Sequence, residues 1–273
     1  MNSNALELEH LKVEIQNNGR TIIDDISFNV PAGKIVALVG ESGSGKTMTS
    51  MAVMGLLPAG IHKTGGIIRI AGTDYASLNK EDYRAIRNEK VSIVMQNPMS
   101  AFDPVLTIRH HFWETIKSHA GSENTDVRET SIAALAEVGF QNPAAILEMY
   151  PFQMSGGMLQ RVMLAIALLS RPPFLIADEA TTDLDVVSQA KILKLLKRHC
   201  ERNHSAMLLI THDFGVAASL AGGIILMKEG KIIEQNSAER FFSAPKSEYA
   251  ERLLSYHRML YTARYTKIME KLA

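Results

Sequence analysis

The sequence predicts an α/β fold: a mostly parallel sheet covered by helices on both faces, with a helical lobe inserted into it. Three observations carry this. KIVALVG, VSIVMQ, FLIADE and AMLLITHD are short apolar runs with the length and composition of buried strands. Stretches of helical period separate most of them, the rhythm of a sheet built from βαβ units. Between Asn97 and Tyr150 the rhythm stops and only helical pattern continues.

Taken in order, LELEHLKVEI and TIIDDISFNV alternate, are rich in β-branched residues and read as early strands. KIVALVG runs into glycines and then into KTMTSMAVMGLL, a helix. GGIIRIAG is a further strand. LNKEDYRAIRNE begins a helix, with Asn79 and Asp82 at capping-box spacing. After VSIVMQ come the lobe helices TIRHHFWETIKSH and DVRETSIAALAEVGF. A helix from Ser155 to Ser170, the strand FLIADE, the helix VVSQAKILKLLKRHCERN, the strand AMLLITHD and the helix DFGVAASLAG follow. IILMKEGKIIEQ reads as a hairpin turned at Glu229-Gly230, and from Ser237 the chain is helical and amphipathic.

The 273 residues, 46% of them apolar, suffice for one large domain or a domain with a lobe. Basic and acidic side chains balance at 29 each, so no net charge draws the chain to nucleic acid. The single cysteine, Cys200, excludes an internal disulfide framework and fits a cytosolic chain. The opening MNSNALELEH carries acids and no apolar core, unlike a signal peptide. VMLAIALL, the longest apolar run, is too short to span a bilayer, so any link to a membrane goes through a surface or another protein.

Residues Gly40-Glu41-Ser42-Gly43-Ser44-Gly45-Lys46-Thr47 lie between a buried strand and a helix, the Walker A pattern in its expected context. Glycines let successive N–H groups wrap phosphates, and the helix dipole favours the anion. Lys46 is expected to reach the β- and γ-phosphates of ATP, and the Thr47 hydroxyl to bind Mg²⁺. FLIADE ends in two carboxylates. Asp178 fits a Mg²⁺-holding role, and Glu179 one of orienting and deprotonating the attacking water. Because side chains alternate along a strand, the two are expected to point to different places.

Ser155-Gly156-Gly157 opens a second helix with uncovered N–H groups, another anion site, yet the chain has one Walker A only. The simplest solution is the nucleotide of another chain. Two copies facing head to tail would each offer this helix end to the partner's γ-phosphate.

SGGMLQRV resembles the signature motif of ABC-transporter ATPases, and four other features agree in that family's order. Gln96 in VMQNP resembles the Q-loop, TTDLD from Thr181 to Asp185 the D-loop, and His212 in ITHD the switch histidine. The helical lobe lies between Q-loop and signature, as in that family. The resemblance implies that Gln96 contacts metal and water and senses the membrane subunit. It further implies that Ser155 and Gly157 touch ATP across a dimer, Asp185 links the two sites, and His212 positions the γ-phosphate and the water. It also implies an ABC nucleotide-binding domain over 1–250, with the helical subdomain at about 97–170, an antiparallel β subdomain near the N-terminus, and a helical extension over 251–273. Two departures stand out. Ala180 replaces the usual proline after the catalytic glutamate, which is expected to loosen the entry to the D-loop. No aromatic stands upstream of Walker A to stack adenine, leaving Ile15 or Arg20 to substitute.

NPMSAFDPVLTI resembles the oligopeptide, dipeptide and nickel importer branch, which is fed by an extracytoplasmic binding protein. YPFQMSGGMLQRVMLAIA and IADEATTDLDVVSQAKIL look most like its nickel members. The lack of a cysteine after Cys200 agrees, because peptide members often carry a C-terminal cysteine cluster. The implied partners are a second, different ATPase chain and two membrane permease subunits, met on the cytoplasmic side of a bacterial inner membrane. Met99 to Phe112 is the candidate groove for a permease helix. Peptide import by the same machinery is the alternative; a soluble ABC ATPase acting on DNA or ribosomes, or a small-molecule kinase or GTPase, stands further off. His110, His111 and His119 read as surface or packing histidines rather than one metal site, since adjacent residues face different sides of a helix. The fourteen methionines read as core filling.

Overall fold

The computed structural model describes residues 4–75, 83, 86–87, 89–118, 125–181 and 184–257. The expected capping pair Asn79 and Asp82, His119, Thr182 and Asp183 of TTDLD, and everything after His257 lie outside them.

Among the described residues the strands form two sheets. β1 (Asn4–Ile15), β2 (Thr21–Pro31), β4 (Ile61–Ile70) and β5 (Thr73–Asp74) make an antiparallel sheet in the order β2-β1-β4-β5. β3 (Ile35–Val39), β6 (Val91–Val94), β7 (Phe174–Asp178), β8 (Ala206–Thr211), β9 (Gly223–Lys228) and β10 (Lys231–Ser237) make a six-stranded sheet in the order β10-β9-β3-β8-β7-β6. All its pairings are parallel except the β9–β10 hairpin. That hairpin turns at Glu229 and Gly230, at φ 49° and 78°, the two positive angles of a turn that matches strand twist.

The parallel strands are apolar on both faces because both are covered. Ala37 and Val39 of β3 point into one core with the lobe helices, and Val36 and Leu38 point into another beneath the antiparallel sheet. The helices are α1 (Lys46–Met54), α2 (Ile108–Ser118), α3 (Val127–Glu137), α4 (Pro143–Leu147), α5 (Gly156–Leu168), α6 (Val186–Asn203), α7 (Phe214–Leu220) and α8 (Ala238–Ser243). α4 is one short turn capped by Asn142 Oδ1, too brief to leave a periodic signal. Among the described residues, the tail read as one helix from Ser237 is broken into two stretches. Pro245 disfavours helical geometry at Ala244, which sits at φ −146°, and a second helical stretch runs over 248–257.

This topology sets the position of the site. β3, β8 and β7 are neighbours, with β6 beside β7. The residues just past their carboxyl ends therefore gather at one sheet edge, where open parallel sheets bind ligands.

Candidate functional site

The loop after β3 folds tightly. A Cβ on Gly40 would stand 2.3 Å from the Met227 carbonyl oxygen of β9, so only glycine fits. Lys46, 6% exposed, turns back under the loop and donates to the carbonyls of Gly40 and Glu41, both at 2.8 Å. Ser44 Oγ lies 3.5 Å from the same ammonium. Burial holds the Lys46 pKa below the ordinary lysine range, against the pull of Glu179, Asp178 and Glu41. A cation this buried gains most from an incoming anion, since little water competes for it.

One turn along α1, Ser50 Oγ lies 2.8 Å from the Thr47 carbonyl oxygen and 3.1 Å from Asp178 Oδ2. Its single proton serves one acceptor at a time. Asp178 is 2% exposed, and its Oδ1 is buried without a hydrogen-bond partner. Burial pushes its carboxyl up to about 6, opposed by the hydroxyls of Ser50 and Thr47 and by Lys46.

Glu179 leaves β7 at φ 49°, a left-handed conformation that strains a non-glycine residue by about 1–3 kcal/mol. Its N–H donates to the Ile210 carbonyl at 2.9 Å. This turn adds to strand alternation in sending Asp178 and Glu179 to different places. Gln96 Nε2 donates to Glu179 Oε2 at 3.1 Å, and His212 Nδ1 lies 2.9 Å from Glu179 Oε1. Gln96 follows β6, Glu179 follows β7 and His212 follows β8. With Gly40, Glu41 and Ser42 they line one pocket of about 440 Å³.

Ser155-Gly156-Gly157 is not in that pocket. Ser155 caps α5, its Oγ accepting from Met158 N–H at 3.3 Å. Ser155 and Gly156 are exposed. They line a separate pocket of about 500 Å³ with Gly157, Arg161, Leu184 and Asp185. Asp185 caps α6 by accepting from Val187 and Ser188 N–H groups, both at 3.0 Å, and hydrogen bonds from Ser188 first hold its carboxyl low.

Sequence reading missed several supports. Gln160 of α5, 2% exposed, donates to the Ala180 carbonyl at 3.0 Å and so ties the signature helix to the residue after Glu179. Ser50 carries no motif signal beyond its place one turn after Thr47. Ile15 and Arg20 face each other across the β1–β2 turn, Ile15 N–H donating to the Arg20 carbonyl at 2.9 Å. His111 packs edge-on against Phe102, its Nε2 lying 3.2 Å from the Asp103 carbonyl, while the half-exposed His110 leans on Trp113.

Known proteins share this architecture. A family model described as ABC transporter matches residues 23–182. The nickel import ATP-binding protein NikD of Brucella abortus biovar 1 (strain 9-941) is 42% identical over 247 residues, which is 90% of this chain and 92% of that one. The oligopeptide transport ATP-binding protein AppD of Bacillus subtilis (strain 168) is 40% identical over 256 residues, 93% of this chain and 78% of that one. Among solved structures, the dimeric post-hydrolysis ATP-binding cassette MJ0796, bound to ADP and Pi, is 25% identical. Its TM-score is 0.77, over 85% of this chain and 98% of that one. With the family match spanning the cradle, the lobe and the paired carboxylates, the chain belongs to the ABC transporter family, as one of its ATP-binding, ATP-hydrolysing subunits.

Proposed function

We propose that the chain is the motor subunit of a membrane importer for nickel or a nickel chelate, with Glu179 as its catalytic base. The grip of Gln96 and His212 on both oxygens of Glu179, at the mouth of the Lys46 cradle, carries the hydrolytic part of this reading, and the likeness to NikD supports the cargo. The loop N–H groups and Lys46 bind the β- and γ-phosphates. Glu179 takes the proton of the attacking water, with Gln96 and His212 holding its carboxylate in register. The Ser155 helix end of a second ATPase subunit completes the site from outside.

The donor set suits magnesium. Mg²⁺ prefers a hydroxyl, one or two carboxylates and substrate phosphates to an all-protein cage. Thr47 and the unpartnered Oδ1 of buried Asp178 offer the protein share, with Gln96 adjacent. When bound, the ion would neutralise phosphate charge as it develops during hydrolysis.

The remaining parts follow. The second ATPase subunit is a different chain. Two permease subunits meet the motor at the cytoplasmic face of the inner membrane, and an extracytoplasmic binding protein delivers cargo. Among the described residues no helix is long and apolar enough to cross a membrane. A pocket of about 530 Å³ between lobe and core, lined by Met95, Phe102, His111 and Met163, supports a docked permease helix there, with Met99 and Val105 exposed nearby. The likeness to AppD supports a second reading, peptide import by the same motor.

Glu179→Gln is the test of mechanism. Hydrolysis should fall by at least about a hundredfold while ATP binding persists; unchanged turnover would remove Glu179 from its role. Nickel-dependent against peptide-dependent uptake in a strain lacking the chain decides the cargo.

A further inference from the structure

The helical stretch 248–257 lies against the hydrolysis pocket. Its start is pinned. Glu234, 6% exposed, accepts from the N–H groups of Lys246 and Ser247 and from Ser247 Oγ, each at 3.0 Å. Ser247 Oγ in turn accepts from Ala250 N–H at 3.2 Å, capping the helix. From that fixed start, Tyr249, Leu253 and His257 recur every fourth residue and share one face. Ala250 and Leu254, one position on, are buried in the core.

Each residue of the stripe meets a different part of the site. Tyr249 lies beside Glu41 of the cradle; burial first, then Glu41, pushes its phenol up to about 12. Leu253 lines the pocket that holds Gln96, Glu179 and His212. His257 Nε2 lies 3.4 Å from Asp213 Oδ1, and its ring stands edge-on to Phe214, centroids 5.6 Å apart. A carboxylate oxygen accepts, so the ring nitrogen donates.

Asp213 follows His212 directly, and its Oδ1 also accepts from Gly215 and Val216 N–H groups at 2.7 and 3.2 Å. That oxygen fixes where α7 begins and hence where the His212 backbone sits. Phe214, stacked on the fully buried Phe241 at 6.1 Å, holds the same turn from its other side. We propose that His257 is a positioning residue of the hydrolysis site, steadying His212, and through it Glu179, by its contact with Asp213. The inference rests on the roles given above to His212 and Glu179.

Steady-state hydrolysis by the full-length chain in its transporter complex tests this. His257→Ala should lower kcat about three- to tenfold and leave KM for ATP within about twofold. His257→Gln, whose amide can still donate to Asp213, should recover most of that loss. In a His212→Ala background, His257→Ala should add nothing further. Wild-type kcat in His257→Ala overturns the inference. So does an equal loss in the His212→Ala background, or a drop in kcat and melting temperature that His257→Gln leaves unrepaired. If His212→Ala itself keeps wild-type turnover, the reading of His212 has failed, and this inference with it. Loss in His212→Ala with none in His257→Ala rejects the present inference alone.

Discussion

Two glycine-bearing helix starts of this chain, Gly40–Lys46 and Ser155–Gly157, differ in what their glycines are for. At Gly40 the chain itself demands glycine, because a side chain would strike the Met227 carbonyl at 2.3 Å. At Gly156 it does not: an added Cβ meets nothing within 4 Å, and the backbone is not left-handed. Glycine in the first turn of a helix costs conformational entropy that alanine would not. The first glycine is explained by the fold, whereas nothing within 4 Å in the fold calls for the second, which is what the proposed contact with a second subunit predicts. The same asymmetry appears in the polar groups. Lys46 and Asp178 are buried and engage their own chain, whereas Ser155 is exposed and makes one capping bond.

The sharpest way to break this contrast is to put alanine at both positions. Gly40→Ala should destabilise the isolated chain by about 3 kcal/mol, a fall in melting temperature of order 10 °C. A melting temperature equal to wild type would show that Met227 yields and that the close approach does not matter. Gly156→Ala should not lower the melting temperature of the isolated chain and should raise it slightly, by about 1–3 °C. In the assembled ATPase it should still cut turnover about a hundredfold, because the added methyl displaces the helix end from the facing nucleotide. Full turnover in that variant would return Ser155–Gly157 to an ordinary capped helix.

The ease of reading the cradle from sequence, and the difficulty of reading its supports, have one physical origin. Gly40–Thr47 are contiguous, and so are Asp178 and Glu179, so each group is legible by itself at the end of its own strand. Gln96, Glu179 and His212 come from three strands, and only the order β6-β7-β8 brings them together. Family resemblance supplied that meeting; periodicity did not. Ser50, Gln160 and His257 act across 128, 20 and 44 residues on Asp178, Ala180 and Asp213, with no local pattern to mark them. The left-handed backbone of Glu179 was equally silent, because no glycine announces it. The C-terminal helix break was legible in Pro245 but was outweighed by the amphipathic pattern on either side.

A smaller effect sharpens the cradle side of the comparison. Asp178 is charged at neutral pH only against its burial, which raises its pKa from 3.8 to about 6. An acid whose folded pKa is raised binds more protons when folded than unfolded between those two values. Its ionisation therefore removes stability as pH climbs from about 4 to about 6, and the full penalty persists above that. In EDTA and without nucleotide, Asp178→Asn should relieve that penalty while still accepting a hydrogen bond from Ser50. The variant should be more stable than wild type at pH 7.5, by about 1–2 kcal/mol after the burial cost of the amide. Its advantage should shrink through pH 6 and vanish near pH 4. A difference independent of pH would mean that Asp178 is not held against its burial. The predicted profile would mark the cradle as a site that gives up stability in the empty chain to hold a charge ready, something the exposed Ser155 end has no means to do.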